Sequence, residues 1–155
     1  MKFLRSVDKL SHNLANSQAR IFEKSITFGL PSKIFIRSYM LSKEAKMIDS
    51  LKIEVAGLTE IEIFEKTSKK VDSKNGQLYP YPQMHYIGYF YRMAAYLTGC
   101  SSRFLYEKIK PDLIYRNYET LHALSIEEAI TEVFEIANIK IEDKNKLFKK
   151  IYREL

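Results

Sequence analysis

Arg116 stands six residues before His122 in Arg116-Asn117-Tyr118-Glu119-Thr120-Leu121-His122, the pairing in this chain with the plainest claim to catalysis. An imidazole can take up or give a proton, and a guanidinium can hold charge building on an oxyanion. Together they suit acid–base catalysis beside a developing negative charge. A plainer assignment makes Arg116 a surface charge and His122 a ring that hydrogen-bonds the turn ahead of Ser125. The other two histidines, His12 and His85, stand far off in the sequence, and no His-x-x-x-His or carboxylate spacing suits a metal ion. All three histidines therefore read as hydrogen-bonded structural residues, with no metal and no cofactor expected. Cys100 is the only cysteine, which excludes a disulfide within the chain and any multi-cysteine zinc site. Glycine-rich phosphate loops and nucleophile elbows are absent from the sequence.

The tyrosines are the second unusual feature. Nine of the eleven (79, 81, 86, 89, 91, 96, 106, 115 and 118) fall within residues 79–118. A tyrosine joins a broad apolar ring to a polar tip, which suits protein interfaces and base stacking alike. With Arg92, Arg103 and Arg116 interleaved, they could form a face for an acidic partner or for single-stranded RNA. The same rings could equally fill a helical core with their hydroxyls at its surface.

The net charge of +6 is unevenly distributed. Residues 1–24 carry five basic and two acidic side chains, residues 140–155 carry six and three, and residues 25–139 balance at fourteen each. The basic character belongs to the two ends, which read as solvated helix faces or as arms for nucleic acid or an acidic partner.

These residues must be held by helices. Hydrophobic residues at 46%, with only five glycines and four prolines, suit a soluble globular protein and argue against a turn-rich all-β fold. Charges at Arg5, Asp8 and Lys9 break any secretory core, and no apolar run is long enough to cross a bilayer, so a cytoplasmic protein without membrane contact is expected. A first helix is predicted over Lys2 to Phe28 on the stripe Phe3, Val7, Leu10, Leu14 and Ile21, ended by Gly29 and Pro31. That narrow stripe needs a partner, in its own domain or in a second copy. Residues 33–56 read either as a short strand pair, from Ile34, Ile36 and the alternation Lys52 to Gly57, or as helix from the Ser42 cap onward. Thr59 opens another helix, and residues 67–77 form an exposed loop. The central helix, about 82–98 between Pro82 and Gly99, is apolar on nearly every side and should be the buried hub of the bundle. Gly88 within it implies a neighbouring backbone passing close. Ser101 or Ser102 caps a helix that Pro111 terminates, and a turn or short helix follows. Ser125 with Glu128 forms a capping box, and a last helix is placed near Asp143 to Arg153. The expected fold is a mainly α, compact helical bundle in a single domain, 1–155, with basic helical extensions at both ends.

Four blocks carry a resemblance: Phe35-Ile36-Arg37-x-Tyr39-Met40-x-Ser42-x-x-Ala45; Met84-x-Tyr86-Ile87-Gly88-Tyr89-x-Tyr91-Arg92; Ser101-Ser102-x-x-x-Tyr106-x-x-Ile109-Lys110-Pro111; and Leu121-His122 before Glu128-Ala129-Ile130. Over about residues 32–135 the chain resembles a family of small, uncharacterised bacterial proteins of the Firmicutes type, antitoxins or antitoxin-like. Met93 and Ala94 stand where that family usually has an aromatic after Tyr-x-Tyr-Arg. The resemblance implies a cytoplasmic, non-enzymatic protein that sequesters a protein toxin. Tyr86, Tyr89, Arg92 and Tyr118 are then the expected contacts, and the basic termini could also touch DNA. The Arg-Asn-x-x-x-x-His pattern separately resembles the helical HEPN ribonucleases, which implies metal-independent cleavage of RNA with His122 activating the 2′-hydroxyl or protonating the leaving oxygen and Arg116 holding charge on the phosphate. Nucleic-acid binding by the basic ends is the third reading.

Overall fold

The computed structural model describes residues 1–52, 57–72 and 75–140. Among them the chain forms nine helices and no strand: α1 (Lys9–Thr27), α2 (Ser32–Met40), α3 (Lys43–Asp49), α4 (Glu60–Ser68), α5 (Tyr81–Thr98), α6 (Ser102–Lys108), α7 (Pro111–Arg116), α8 (Tyr118–Leu121) and α9 (Ile126–Ile136). The expected helical bundle is what forms. Twelve residues of α5 are buried, including the unbroken run from Phe90 to Thr98. Pro80 and Pro82 begin this helix, and Gly99 ends it with φ +74°, the left-handed conformation that costs glycine least.

Gly88 explains how α1 and α5 pair. A methyl group there would come within 2.9 Å of the Phe22 ring and 3.0 Å of both the Ala19 Cα and the Gln18 carbonyl. The buried face of α1 is correspondingly fine-grained: Ser11, Ala15, Ala19, Phe22 and Ser25, with Gln18 and Ile21 beside them. The predicted stripe therefore needs correcting, for Leu10 is 47% exposed. Close approach of two backbones selects the small side chains on α1 and turns Leu10 outward.

The helix predicted from Lys2 begins only at Lys9. Asp8 caps it by accepting from the Ser11 amide, and the Ser11 hydroxyl accepts from the Asp8 amide in return. The preceding residues form a strap across the end of α5. The Leu4 and Arg5 amides both donate to the Leu97 carbonyl, at 2.7 and 3.2 Å, and the Arg5 guanidinium donates to the Tyr96 carbonyl at 2.9 Å. The last carbonyls of a helix lack intrahelical donors, so this strap satisfies them.

Residues 32–49, left open between strand and helix, are helical. Phe35, Ile36, Tyr39 and Met40 are buried together while Ile34 stays exposed, which is the helical spacing and not alternation. Most of the Lys52–Gly57 alternation and the helix placed at Asp143–Arg153 lie outside the described residues. Ser42, Thr59, Ser101 and Ser125 each accept from the amide three residues on, and Ser125 with Glu128 completes its capping box. Pro111 opens α7 as its first residue, where its missing N–H is harmless.

Candidate functional site

The four residues expected to touch a partner separate in the structure. Arg92 is 2% exposed and points inward. Its Nε donates to Gln18 Oε1 at 2.9 Å, Nη1 to Asp49 Oδ1 at 2.7 Å and Nη2 to Ser102 Oγ at 3.3 Å. Asp49 in turn accepts from the Ser102 amide at 2.7 Å and its hydroxyl at 2.6 Å, and Tyr39 donates to Gln18 Oε1 at 2.8 Å. This network ties α1, α2, α3, α5 and α6 together. Placing Arg92 on a contact surface was wrong, because a desolvated guanidinium with three partners belongs to the interior. Burial drives the Tyr39 hydroxyl pKa upward, with the adjacent Arg92 charge opposing it.

Tyr86 and Tyr89 do come together, in a groove of about 270 Å³ lined by His85, Tyr86, Tyr89, His122, Leu124 and Ile126, and Tyr118 packs on two of those lining residues, Tyr86 and His122. Position alone brings His85 and Tyr89 to the same face of α5, one turn apart. The Tyr86 ring meets Tyr118 edge-on at 5.6 Å, and Tyr118 stacks on His122 at 4.4 Å with the planes 5° apart. All three tyrosines are half-buried, and Leu124 is exposed beside them. Burial raises the hydroxyl pKa of Tyr86 and of Tyr89, and the Glu127 carboxylate adds to the effect at Tyr89. The Tyr86 oxygen is out of solvent contact and has no hydrogen-bond partner among the described residues.

The imidazoles are oriented by neighbours. His85 Nδ1 lies 2.7 Å from Glu23 Oε1, and His122 Nδ1 lies 2.7 Å from the Tyr118 carbonyl oxygen. His12 Nδ1 is 3.3 Å from the Tyr89 hydroxyl, so two histidines line the groove and the third touches its wall. Arg116 is not part of this arrangement. It pairs with Asp112 at 3.0 Å one turn back on α7, with its side chain 67% exposed, and does not line the groove. The chain bends at Asn117 between α7 and α8, so the interval from Arg116 to His122 spans two helices.

A second, apolar chamber of about 330 Å³ lies against the Arg92 network, with Leu14, Ile21, Ile48 and Leu58 among its walls. The remaining tyrosines divide by role. Tyr79, Tyr91 and Tyr96 are core residues, whereas Tyr81 is exposed. Tyr79 stacks on Tyr115 at 4.1 Å, and burial pushes its hydroxyl up to about 12.

Three of the five basic side chains in the N-terminal segment have partners within the fold, while Lys2 and Lys9 are exposed. Arg5 lies over the Tyr96 ring, Arg20 pairs with Glu60 at 2.5 Å, and Lys24 lies over the Phe64 ring. The basic C-terminal segment beyond Lys140 lies outside the described residues. Among the described residues no three histidine, cysteine or acidic side chains gather to hold a metal ion, and no helix is long and apolar enough to cross a membrane. Cys100 is buried as a free thiol.

Sequence reasoning missed that His85 and Leu124 line one groove with Tyr86 and Tyr89. No local signal links them, since Leu124 lies 39 positions after His85 and only the return of the chain through α6–α8 joins them. Comparison with family models, curated proteins and solved structures finds no match to this chain.

Proposed function

We propose that this protein is a binding module of the antitoxin-like kind, which sequesters a protein partner against the aromatic groove. The observation that carries the reading is the gathering of Tyr86, Tyr89 and Tyr118 with His85, His122 and the exposed Leu124 into one surface. Half-buried aromatic rings have fixed positions and lose little freedom on binding, so they supply contact area efficiently. Leu124 offers the apolar anchor and Glu127 a charged rim. The partner's own active cleft would be occluded by this surface, and no chemistry by this chain is required.

The test uses the full chain with a photo-crosslinking residue at Tyr89 or Tyr118, expressed in native cells. A stoichiometric protein adduct that Leu124→Asp abolishes is the expected result. That protein, expressed alone, should arrest growth, and co-expression of this chain should restore it. Equal crosslinking of the wild type and of Leu124→Asp would sink the reading.

A further inference from the structure

The chemistry of the groove specifies more about what enters it. Each lining imidazole has Nδ1 against an atom that can only accept: the Glu23 carboxylate for His85 and the Tyr118 carbonyl for His122, both at 2.7 Å. Nδ1 therefore carries the hydrogen in each ring. In the neutral form Nε2, on the opposite edge, is left as a bare acceptor. Both rings line the groove, so with the imidazoles neutral each has an acceptor nitrogen to offer a ligand there.

Its charge points the same way. No lysine or arginine is among the described residues that line it. The carboxylates close by are Glu23, on His85, and Glu127, whose charge acts on the Tyr89 hydroxyl. The walls also carry the rings of Tyr86 and Tyr89, whose faces are electron-rich. A carboxylate or phosphate would meet acceptors and like charge here. A flat cation rich in N–H groups meets complements on every side.

We infer that the groove receives an arginine side chain of the protein partner, the guanidinium lying between the tyrosine rings and donating to Nε2 of His85 and of His122. Arginine suits it better than lysine, because a planar and weakly hydrated cation stacks on rings and donates in two directions at once. This inference rests on the groove being the partner-docking surface.

The test uses the full chain, isotope-labelled, with backbone amide shifts followed by NMR. The probes are the end-blocked tripeptides Gly-Arg-Gly, Gly-citrulline-Gly and Gly-Glu-Gly. Citrulline keeps the shape of arginine and loses its charge. The arginine peptide should saturate shifts at Tyr89, Leu124 and Ile126, with the citrulline peptide roughly fivefold weaker or more and the glutamate peptide silent. His122→Phe keeps a flat ring on Tyr118 and removes one acceptor. It should weaken the arginine peptide by roughly fivefold without lowering the melting temperature. Citrulline binding as well as arginine, or glutamate shifting the same amides more strongly, would overturn the inference. If no peptide binds while Leu124→Asp still abolishes the crosslink, the groove docks a protein by other chemistry and the arginine falls alone. If arginine is selected but the crosslink ignores Leu124→Asp, the guanidinium site stands and the docking reading falls.

Discussion

Gly88 and Arg92, one turn apart on α5, do opposite things for the fold. Gly88 works by having no side chain where Phe22 and Ala19 approach, and Arg92 works by filling a polar hole that four other helices share. Gly88→Ala should lower stability by about 2 kcal/mol in denaturant titration even though alanine is the better helix former, because the added methyl overlaps neighbouring backbone. A stabilised variant would show that α1 can move away at little cost. Arg92→Met should cost about 3 kcal/mol or more, since it leaves the Asp49 carboxylate desolvated beside Ser102 without its cation. The partner-contact role first assigned to Arg92 failed for a reason visible only in three dimensions. An arginine amid tyrosines looks the same in sequence whether it faces out or in, and the partners that hold it inward, Gln18 and Asp49, lie 74 and 43 residues away.

The caps are the elements' own contribution, and most were legible from the sequence. Ser125→Ala should lower stability by about 1 kcal/mol, as for other lost serine caps, measurable as a shift in the denaturant midpoint. Asp8 was not recognised as a cap, because the apolar spacing of Phe3 and Val7 continues helically through it. Its carboxyl is held below the ordinary value of 3.8 by the Ser11 amide and the Tyr96 hydroxyl. Glu60 is likewise lowered, chiefly by its hydrogen bond from Arg20. A carboxyl lowered in the folded state adds stability that is whole above its unfolded value and disappears as the pH falls through the folded one. Melting temperature should therefore drop with acidification below about pH 4, and Asp8→Asn should flatten part of that slope. An unchanged slope in the variant would show that Asp8 contributes only as a neutral cap.

At the scale of the whole molecule, the prediction concerns the surface that α5, α8 and α9 build jointly. Tyr118→Ala should weaken partner binding by roughly tenfold or more, as for an aromatic anchor near the centre of an interface, with only a small change in melting temperature. Loss of folding with no change in residual binding would make Tyr118 a core residue instead. The helical class, the hub at residues 82–98, the close backbone at Gly88 and the serine caps followed from spacing and local hydrogen bonding, which act over a few residues and are written in the chain directly. The strap over Leu97, the rotation of α1 onto its small side chains and the sorting of tyrosines between core and groove did not. Each depends on which distant backbone or carbonyl arrives beside a given residue, and sequence neighbours carry no record of that arrival. His85 and Tyr89 met His122 and Leu124 only when the chain turned back on α5, so their joint chemistry belongs to the packing and not to any motif.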